Sequence, residues 1–496
     1  MFSALMFGED LNWTPQPTLF ISNVDCFDIK CLFNKLPDMI QKAYHGPRAI
    51  LVSLVILVVS NASWCQATTL TFSNYVAFAT GSHPEAVAIA DLNDDGRKDV
   101  VMTTSAYGNS TNDNSILIFF QNAAGKLNPP VRYAAGAAAV SVAVADLNGD
   151  GRNDIAVGKT TSGIRVFWQD AQGGFTNFTD YATANAYSIC AGDFNNDGRT
   201  DLACVGRASS EVDTLMQNTN GTLAFGPHYT ASYAGNNQIL AADVNQDGLT
   251  DLVVMSGQVY SVPNVSILLQ TNGGFAPATT CNLGDNRLTT GIGVADLNGD
   301  NRNDIIVCYG GNRPTSKLSV FNQLPTGQYS LSTTNDSYDN PQSLMVADLD
   351  MDGNPDVILL HGGWNAAGVY RQTSPGTLLT EQLLNLPYAS SYNRQGLAVG
   401  DINGDGRPDV VLADYNNGLV VLYNTTPAPP VRIARMSVLP GGKIVLGSPY
   451  CGAHGSSVVQ RSTTLTDWTP VGTISDSTWT DTNSTLRQAF YRLAPQ

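Results

Sequence analysis

Short apolar runs, separated by clusters of Asn, Gly, Asp, Ser and Thr, follow one another along most of the chain. The run SVAVAD at 141–146 leads into an acidic stretch, and the apolar run DIAVG at 154–158 follows it. Two further runs, GIRVFWQ at 163–169 and GFTNFTDYA at 174–182, come before the pattern starts again. Runs of this length and composition, bounded by turn residues, predict β-strands. No long apolar stripe with helical spacing is evident, so the pattern predicts an all-β protein.

The acidic stretch between the first two strands occurs seven times. The first and last copies start 310 residues apart, which is about 52 residues per repeat. A period of this length is typical of propeller blades, and four strands fit into each period. The sequence therefore predicts a seven-bladed β-propeller with antiparallel blades. The seven copies start at Asp91, Asp146, Asp193, Asp243, Asp296, Asp348 and Asp401.

The two ends of the repeat array predict how the ring closes. The seventh repeat stops after its third strand, LVVLYN at 419–424, and has no fourth. A spare strand, LTFSNYVAF at 70–78, precedes the first acidic stretch and is similar to the last strand of a blade. We expect this N-terminal strand to complete the seventh blade, because closure removes two exposed sheet edges.

The acidic stretches carry the oxygen ligands of a calcium loop. Counted from the first Asp, positions 1, 3, 5 and 9 have oxygen-bearing side chains in all seven copies. Position 7 varies, as expected if only its backbone carbonyl is used. Position 6 is Gly in six copies and Asn301 in the fifth, which predicts a turn with positive φ. Calcium prefers such carboxylate, amide and carbonyl oxygens.

An EF-hand is excluded for these loops. Its position 12 is a bidentate Glu, whereas the corresponding residues here include Met102, Val157 and Cys204. The flanking segments are predicted strands rather than helices. Position 9 opens the returning strand, so that calcium would fasten a β-hairpin.

The loops resemble D-x-[DN]-x-D-G-x-x-D, the signature of FG-GAP/VCBS-type repeats such as those of the integrin α-chain propeller. The resemblance covers about residues 70–425 and implies about seven calcium ions, one in each loop. Asn301 departs from the signature and weakens the fifth site. The ligands that the resemblance implies, with position 7 contributing only its carbonyl, are Asp91, Asn93, Asp95, Arg97, Asp99, Asp146, Asn148, Asp150, Arg152, Asp154, Asp193, Asn195, Asp197, Arg199, Asp201, Asp243, Asn245, Asp247, Leu249, Asp251, Asp296, Asn298, Asp300, Arg302, Asp304, Asp348, Asp350, Asp352, Asn354, Asp356, Asp401, Asn403, Asp405, Arg407 and Asp409.

The charge balance supports this interpretation. The chain has 496 residues and a net charge of -16, and 23 of its 42 acidic residues lie in the seven loops. Three carboxylates in one loop repel each other without a cation, and seven calcium ions would offset most of the charge. The acidic residues are thus predicted to serve metal binding. The negative charge also excludes the basic face that nucleic-acid binding needs. A fully ligated ion in a hairpin leaves no position for a substrate, so we expect structural calcium.

The N-terminal region predicts secretion. The apolar run at 49–59 is too short to span a bilayer comfortably, follows basic residues and precedes a small-residue cleavage site. We interpret 39–67 as a signal peptide that starts at Met39, with 1–38 as an upstream extension. A genuine cytoplasmic extension and a retained signal-anchor are the alternatives. The prediction is a monomeric bacterial protein, secreted or at the cell surface, without a membrane span in its mature chain.

The C-terminal region is predicted to be a separate unit. The Pro-rich TTPAPP at 425–430 is typical of a linker, and strand-like segments follow it. We therefore divide the chain into the propeller at 70–425 and a linker with a small β-sandwich-like module at 426–496. The segment STTLTDWTPV with a terminal FYRL is similar to a module that ends many bacterial extracellular proteins. Two roles for this module stay open, namely attachment to a surface and simple packing against the rest of the protein.

Two of the eight cysteines are candidates for a disulfide. Cys190 lies three residues before Asp193, and Cys204 lies three residues after Asp201. If the flanking segments form a hairpin, the two thiols could face each other and pair in an oxidising compartment. The alternative is a pair of small buried apolar side chains.

These features favour a calcium-stabilised binding or adhesion module for extracellular carbohydrate or protein. No catalytic residue is assigned, because no Ser-His-Asp order, nucleophile elbow or HExxH is visible. His83 and His361 are interpreted as turn or rim residues. The alternatives are a propeller-based polysaccharide lyase or hydrolase with structural calcium, and a scaffold without a discrete ligand.

Overall fold

The computed structural model describes the region of the repeats and part of the C-terminal region. The described residues are 70–106, 111–161, 163–183, 186–206, 209–231, 236–256, 264–283, 289–387, 393–427, 435–438, 444–447, 457–462, 469–474, 478–481 and 490–495. The predicted extension at 1–38 and signal peptide at 39–67 lie outside them. The described part contains no helix, and hence none that is long and apolar enough to cross a membrane.

The strands of the repeat region are short, mostly of four to eight residues. In chain order, the first fourteen are β1 (Val76–Phe78), β2 (His83–Ala90), β3 (Asp99–Ser105), β4 (Ser115–Phe119), β5 (Val131–Ala134), β6 (Ala139–Ala145), β7 (Asp154–Lys159), β8 (Gly163–Trp168), β9 (Asn177–Tyr181), β10 (Ser188–Gly192), β11 (Asp201–Val205), β12 (Glu211–Gln217), β13 (Leu223–Phe225) and β14 (Tyr229–Thr230). The others are β15 (Asn236–Ala242), β16 (Asp251–Ser256), β17 (Asn264–Leu268), β18 (Gln270–Thr271), β19 (Gly274–Phe275), β20 (Thr279–Asn282), β21 (Thr289–Ala295), β22 (Asp304–Tyr309), β23 (Lys317–Gln323), β24 (Tyr329–Asp336), β25 (Pro341–Ala347), β26 (Asp356–His361), β27 (Ala366–Tyr370), β28 (Gln372–Ser374), β29 (Thr377–Leu378), β30 (Gln382–Asn385), β31 (Leu397–Gly400), β32 (Asp409–Asp414) and β33 (Gly418–Leu422).

These strands form seven antiparallel blades, which confirms the predicted all-β seven-bladed propeller. From the first strand to the outermost, blades 1 to 7 are β2-β3-β4-β5, β6-β7-β8-β9, β10-β11-β12-β13, β15-β16-β17-β20, β21-β22-β23-β24, β25-β26-β27-β30 and β31-β32-β33-β1. Strand β14 adds to β12, and the pairs β18-β19 and β28-β29 form small hairpins between third and fourth strands.

The ring closes as predicted, with the N-terminal strand as the outer strand of blade 7. Strand β1 pairs antiparallel with β33, with Val76 opposite Val421 and Phe78 opposite Leu419. A further bridge joins Phe72 to Asn424. Closure thus gives blade 7 its fourth strand and protects the edge that β33 would otherwise expose.

Antiparallel order divides the connections between two faces of the ring. The connections from first to second strands and from third to fourth strands lie at one end of each blade. We call this end the loop face, because every acidic loop joins a first strand to a second strand. The connections from second to third strands and the links between blades form the opposite face.

Apolar side chains fill the space between neighbouring blades. In β7, Ile155, Ala156 and Val157 are fully buried. Ile155 and Val157 pack with Val101 and Ile118 of blade 1, whereas Ala156 packs toward blade 3. A strand buried on both sides needs a continuous apolar run, which the second strand of each repeat supplies.

A segment before β31 crosses the centre of the ring near the opposite face. We call residues 393–396 the central strap. Gln395 donates from Nε2 to Ile189 O of blade 3 (3.0 Å), and its carbonyl accepts from Val87 N of blade 1 (2.9 Å). Other hydrogen bonds join the strap to blades 2, 5 and 6. One segment therefore ties together blades that are far apart in the ring.

The disulfide hypothesis for Cys190 and Cys204 is wrong. In the β10–β11 hairpin, Cys190 lies opposite Ala203, and Ile189 lies opposite Cys204. This offset of one residue points the two side chains to opposite faces of the sheet. Both thiols are free, with Cys204 packed toward blade 2 and Cys190 toward blade 4.

The C-terminal region is described only by its strands. They form two antiparallel three-stranded sheets, β34-β35-β38 and β37-β36-β39. The sandwich-like module and its boundary at residue 426 stay predictions. The strands are β34 (Arg435–Val438), β35 (Ile444–Gly447), β36 (Ser457–Ser462), β37 (Thr469–Ile474), β38 (Thr478–Asp481) and β39 (Phe490–Pro495).

Candidate functional site

Each acidic loop has two residues in the left-handed backbone region, at positions 4 and 6. Position 6 has positive φ in all seven loops, including Asn301 at 62°, as predicted. Position 4 was not predicted, because it is glycine in three loops only. Asp94, Asn196, Gln246 and Met351 hold it at φ of 58° to 59° in the others. This conformation is costly for residues with a Cβ, so the rest of the loop must impose it.

The carboxylate at position 1 organises the backbone of its loop. In the second loop, Asp146 accepts hydrogen bonds from Asp150 N at Oδ1 (3.1 Å) and from Gly151 N at Oδ2 (2.8 Å). The bonds from positions 5 and 6 recur in all seven loops. Side-chain oxygens at positions 3 and 5 likewise accept from backbone N–H groups two residues later, as in Asx turns. The side chains at positions 1, 3 and 5 thus all accept hydrogen bonds from the backbone of their own loop.

The carboxylate at position 9 ties the loop to the third strand. Asp154 is fully buried, and its Oδ2 and Oδ1 accept from Leu147 N (3.0 Å) and Gln169 N (2.9 Å). The equivalent residue does the same in every blade. This residue therefore fixes the start of the loop to the end of the third strand.

Burial raises the pKa of every carboxyl group at position 9. Repulsion from the other loop carboxylates adds to the rise, and the backbone hydrogen bonds only partly offset it. From an ordinary value of 3.8, the pKa reaches about 6 at Asp99, Asp201, Asp251 and Asp304, and about 7 at Asp154, Asp356 and Asp409. The loops thus hold their negative charge poorly by themselves.

The arginine at position 7 has a role that sequence reasoning missed. In five loops its guanidinium pairs with the carboxylate at position 5. In the third loop, Arg199 pairs with Asp197 and donates from Nε to Gln217 O (2.9 Å). The fourth and sixth loops have Leu249 and Asn354 at this position. The side chain therefore locks the loop onto the third strand in five blades.

The sixth loop has a carboxylate at all four side-chain ligand positions, because position 3 is Asp350. Asp348, Asp350 and Asp356 have carboxylate oxygens within 4.8 Å of one another, the one such group of potential metal ligands among the described residues. Asp350 is fully buried and accepts from Arg371 Nε (2.9 Å). Burial and the neighbouring Asp352 carboxylate raise the pKa of Asp350 despite this arginine.

Four of the seven loops also accept a hydrogen bond from the end of the third strand of the next blade. Gln217, at the end of the third strand of blade 3, donates from Nε2 to Asp146 O of the second loop (3.2 Å). Gly221 has φ of 77°, and a Cβ there would lie 2.6 Å from Asn148 O. Equivalent Gln or Asn side chains join loops 4, 5 and 6 to the blade that follows. A glutamine or asparagine lies at the end of the third strand of every repeat, but Gln121, Gln169 and Gln270 do not donate such a bond, so the residue type alone does not predict this contact.

The donor set of the loops fits a hard divalent cation. Every loop supplies carboxylates at positions 1, 5 and 9 and an amide or carboxylate at position 3. These are oxygen ligands of the type that calcium prefers. In five loops the arginine at position 7 neutralises one of the three carboxylates at these positions, so a divalent ion would supply the remaining compensation there. Bound there, the ion would stabilise charge and hold the hairpin closed.

The opposite face carries an aromatic cluster that the sequence analysis did not identify. His361 is fully buried, so its interpretation as a rim residue is wrong. Its Nδ1 lies 3.0 Å from Asp339 O and its Nε2 lies 3.0 Å from Glu381 Oε1. The His361 and Glu381 side chains are both buried, and the Tyr338 ring meets the imidazole edge-on with 5.2 Å between centroids. The pair of His361 and Glu381 thus supports Tyr338 from inside the protein.

Comparison with known proteins identifies the repeats. The family model for the FG-GAP-like repeat matches residues 105–157, 146–204, 193–254 and 348–412, and each match includes at least one acidic loop. No curated protein sequence matches the chain significantly.

Two similar solved structures are crystal structures of BBS1N in complex with ARL6DN, one soaked with mercury and one with lead. They are 12% identical to this chain, with TM-scores of 0.49 and 0.48. Each alignment covers 73% of this chain and 98% of the other.

Proposed function

The chain forms an FG-GAP repeat propeller, and we propose that this propeller is a secreted, calcium-binding module that binds extracellular carbohydrate or protein. The observation that carries the proposal is the sevenfold repetition of one loop. All seven copies share their donor set, their backbone geometry and the buried carboxylate at position 9. FG-GAP propellers are typical of binding and adhesion modules.

Calcium is proposed as a structural ion in each loop. A cation that binds beside a buried carboxylate compensates its charge and so stabilises the ionised form, which burial alone disfavours. The loop ties two strands of one blade together and also contacts the next blade, so binding would stabilise both. The ions bound by the 35 ligand positions would therefore hold the ring in the form that binds its partner.

Calorimetric titration of the chelator-treated full chain with calcium tests the metal proposal. We expect about seven ions per chain and no comparable response to magnesium, because magnesium demands a tighter octahedral site. The Asp243→Asn variant removes the position-1 charge of the fourth loop and should lose about one ion. Heat changes equal to those of a buffer blank would contradict the proposal.

Binding to a panel of glycans and matrix proteins, in calcium and in EDTA, tests the module function. We expect calcium-dependent retention of at least one panel member without formation of a shortened product. Release of shortened sugar would favour the lyase or hydrolase hypothesis instead. Failure to retain any panel member would contradict the binding function and favour a scaffold without a discrete ligand.

Sequencing of the protein recovered from the culture medium tests secretion. We expect an N-terminus at Thr68, directly after the predicted cleavage site. Recovery of the chain only from the cytoplasm would contradict the proposed localisation.

A further inference from the structure

We propose that loops of blades 5 and 6 on the opposite face form a docking surface for a protein segment that presents a carboxylate beside an apolar side chain. The surface consists of Arg313, Tyr338 and Trp364, and we call it the Arg–Tyr–Trp surface. The inference rests on the proposed binding function and assigns it to one face and one class of partner.

The three side chains form one continuous row. The Arg313 guanidinium lies over the Tyr338 ring at 4.5 Å from its centroid. The Tyr338 and Trp364 rings meet edge-to-face at 5.8 Å with an interplanar angle of 77°. Trp364 is 37% exposed, so part of its ring is accessible to a partner. The row therefore presents a cation at one end and an apolar ring at the other.

Buried polar groups hold this row in place. Tyr338 N donates to Glu381 Oε2 (2.6 Å), and the same carboxylate contacts His361. Arg313 N donates to Asp339 Oδ1 (2.6 Å), and Trp364 N donates to His361 O (3.2 Å). All three loops are thus tied together before any partner binds. A surface that is already ordered loses little entropy on binding, which favours affinity.

Composition and shape favour a protein over a small ligand. Trp, Tyr and Arg are the residues that dominate protein-binding hot spots. Small ligands bind in concave pockets, whereas neither the cavity lined by Leu297 and Leu378 nor the one lined by Asp146 and Gln217 includes a residue of this surface. The planar guanidinium matches a carboxylate bidentately, and the exposed indole offers apolar contact beside it.

A second arginine–aromatic pair in the ring provides a contrast. Arg165 lies 3.7 Å from the centroid of Phe178, which is 49% exposed. The Arg165 guanidinium is already bound by Asp180 (2.9 and 2.6 Å) and Ala134 O (3.0 Å). No carboxylate among the described residues pairs with the Arg313 guanidinium within 4.0 Å. Asp336 interacts with Arg313 electrostatically but forms its ion pair with Lys317, so the Arg313 guanidinium keeps its donors for an acidic partner, whereas those of Arg165 are already used.

Selection from a phage-displayed library of random dodecapeptides tests the proposal with the full chain in calcium. We expect enrichment of peptides in which Asp or Glu lies next to a large apolar residue. Trp364→Ser and Arg313→Gln should each weaken binding of the enriched peptides at least about tenfold, as hot-spot truncations do. Arg313→Lys keeps the charge but loses the planar fork, so it should bind with intermediate strength.

Phe178→Ser is the matched control, because it removes an exposed aromatic side chain beside the occupied Arg165. It should bind the selected peptides as tightly as the unmodified chain, and all variants should melt at the same temperature.

Enrichment of peptides without an acid, equal binding by Trp364→Ser, or absence of enrichment would each overturn the proposal. If Trp364→Ser no longer retains a glycan that the unmodified chain retains, the surface binds carbohydrate, and this outcome would overturn the proposal as well. Retention of a panel member by Trp364→Ser would show that the proposed module function survives through another surface.

Discussion

The two faces of the ring are built in opposite ways. On the loop face, seven copies of one loop repeat the same hydrogen bonds, the same left-handed residues and the same buried carboxylate. On the opposite face, the Arg–Tyr–Trp surface takes one residue from each of three loops and occurs between blades 5 and 6. Repetition indicates a role in holding the ring together, since every blade needs it. A feature that occurs once can carry specificity for a partner without being needed for folding.

Removal of calcium should have the largest effect, because it acts on all seven loops together. With a dissociation constant of about 10⁻⁴ M and about 1 mM calcium, each site contributes roughly 1.4 kcal/mol. The free energy of unfolding should fall by on the order of 10 kcal/mol for seven sites. Denaturant titrations of the full chain in calcium and in EDTA measure this difference. Equal unfolding free energies would mean that the loops need no ion.

Loss of one buried carboxylate should have the next largest effect. Asp154→Ala leaves two buried N–H groups without their acceptor, so we expect a loss of about 3 kcal/mol even in EDTA. Asp150→Ala changes a partly exposed residue of the same loop. In EDTA it should lower the free energy of unfolding less than Asp154→Ala does, and in calcium it should lower it by a similar amount. Denaturant unfolding of both variants checks this. An unchanged melting temperature for Asp154→Ala in calcium would refute the role of position 9.

The loops should also make metal-free stability depend on pH. The folded pKa values of Asp99 and Asp154, about 6 and about 7, lie above the ordinary value of 3.8. Between these values the folded chain binds more protons than the unfolded chain, so the free energy of unfolding falls as pH rises through about 4 to 7. Melting temperatures in EDTA should thus decrease across this window. Calcium should weaken the trend, because it stabilises the charged carboxylates, and a rise with pH in EDTA would be contrary evidence.

A substitution on the opposite face should have the smallest effect on stability. Trp364→Ser removes a partly exposed ring outside the cores between blades, so the free energy of unfolding should change by about 0.5 kcal/mol or less. The comparison with Asp154→Ala measures how far the two faces are specialised. A loss of several kcal/mol would show that the aromatic row supports the ring instead of a partner.

The repeat period made the fold predictable to a large extent. The period fixed the number of blades, and the missing fourth strand after residue 424 predicted the pairing of β1 with β33. Position 6 was predictable because glycine marks positive φ. Position 4 was not, because Gln246 and Met351 have no preference for that conformation and adopt it under the hydrogen bonds of the loop.

The features on the opposite face were not predictable, for a different reason. Arg313, Tyr338 and Trp364 come from separate loops, and nothing in their sequence spacing indicates that they meet. Cys190 and Cys204 show the same limit at a finer scale, because a register offset of one residue reverses which face a side chain occupies. Such contacts depend on the exact backbone path, which the hydrophobic pattern leaves open.

Closure of the ring by β1 also determines how the molecule responds to tension. Thr71 N donates to Thr426 Oγ1 (3.0 Å), and Thr425 N donates to Thr71 O (2.9 Å), so the chain enters and leaves the ring side by side. A pulling force between these ends would not pass through the other six blades. It would open the antiparallel pair β1–β33 from one end, breaking its hydrogen bonds one after another. A tethered molecule under load would therefore yield first at blade 7, while the opposite face at blades 5 and 6 stays intact.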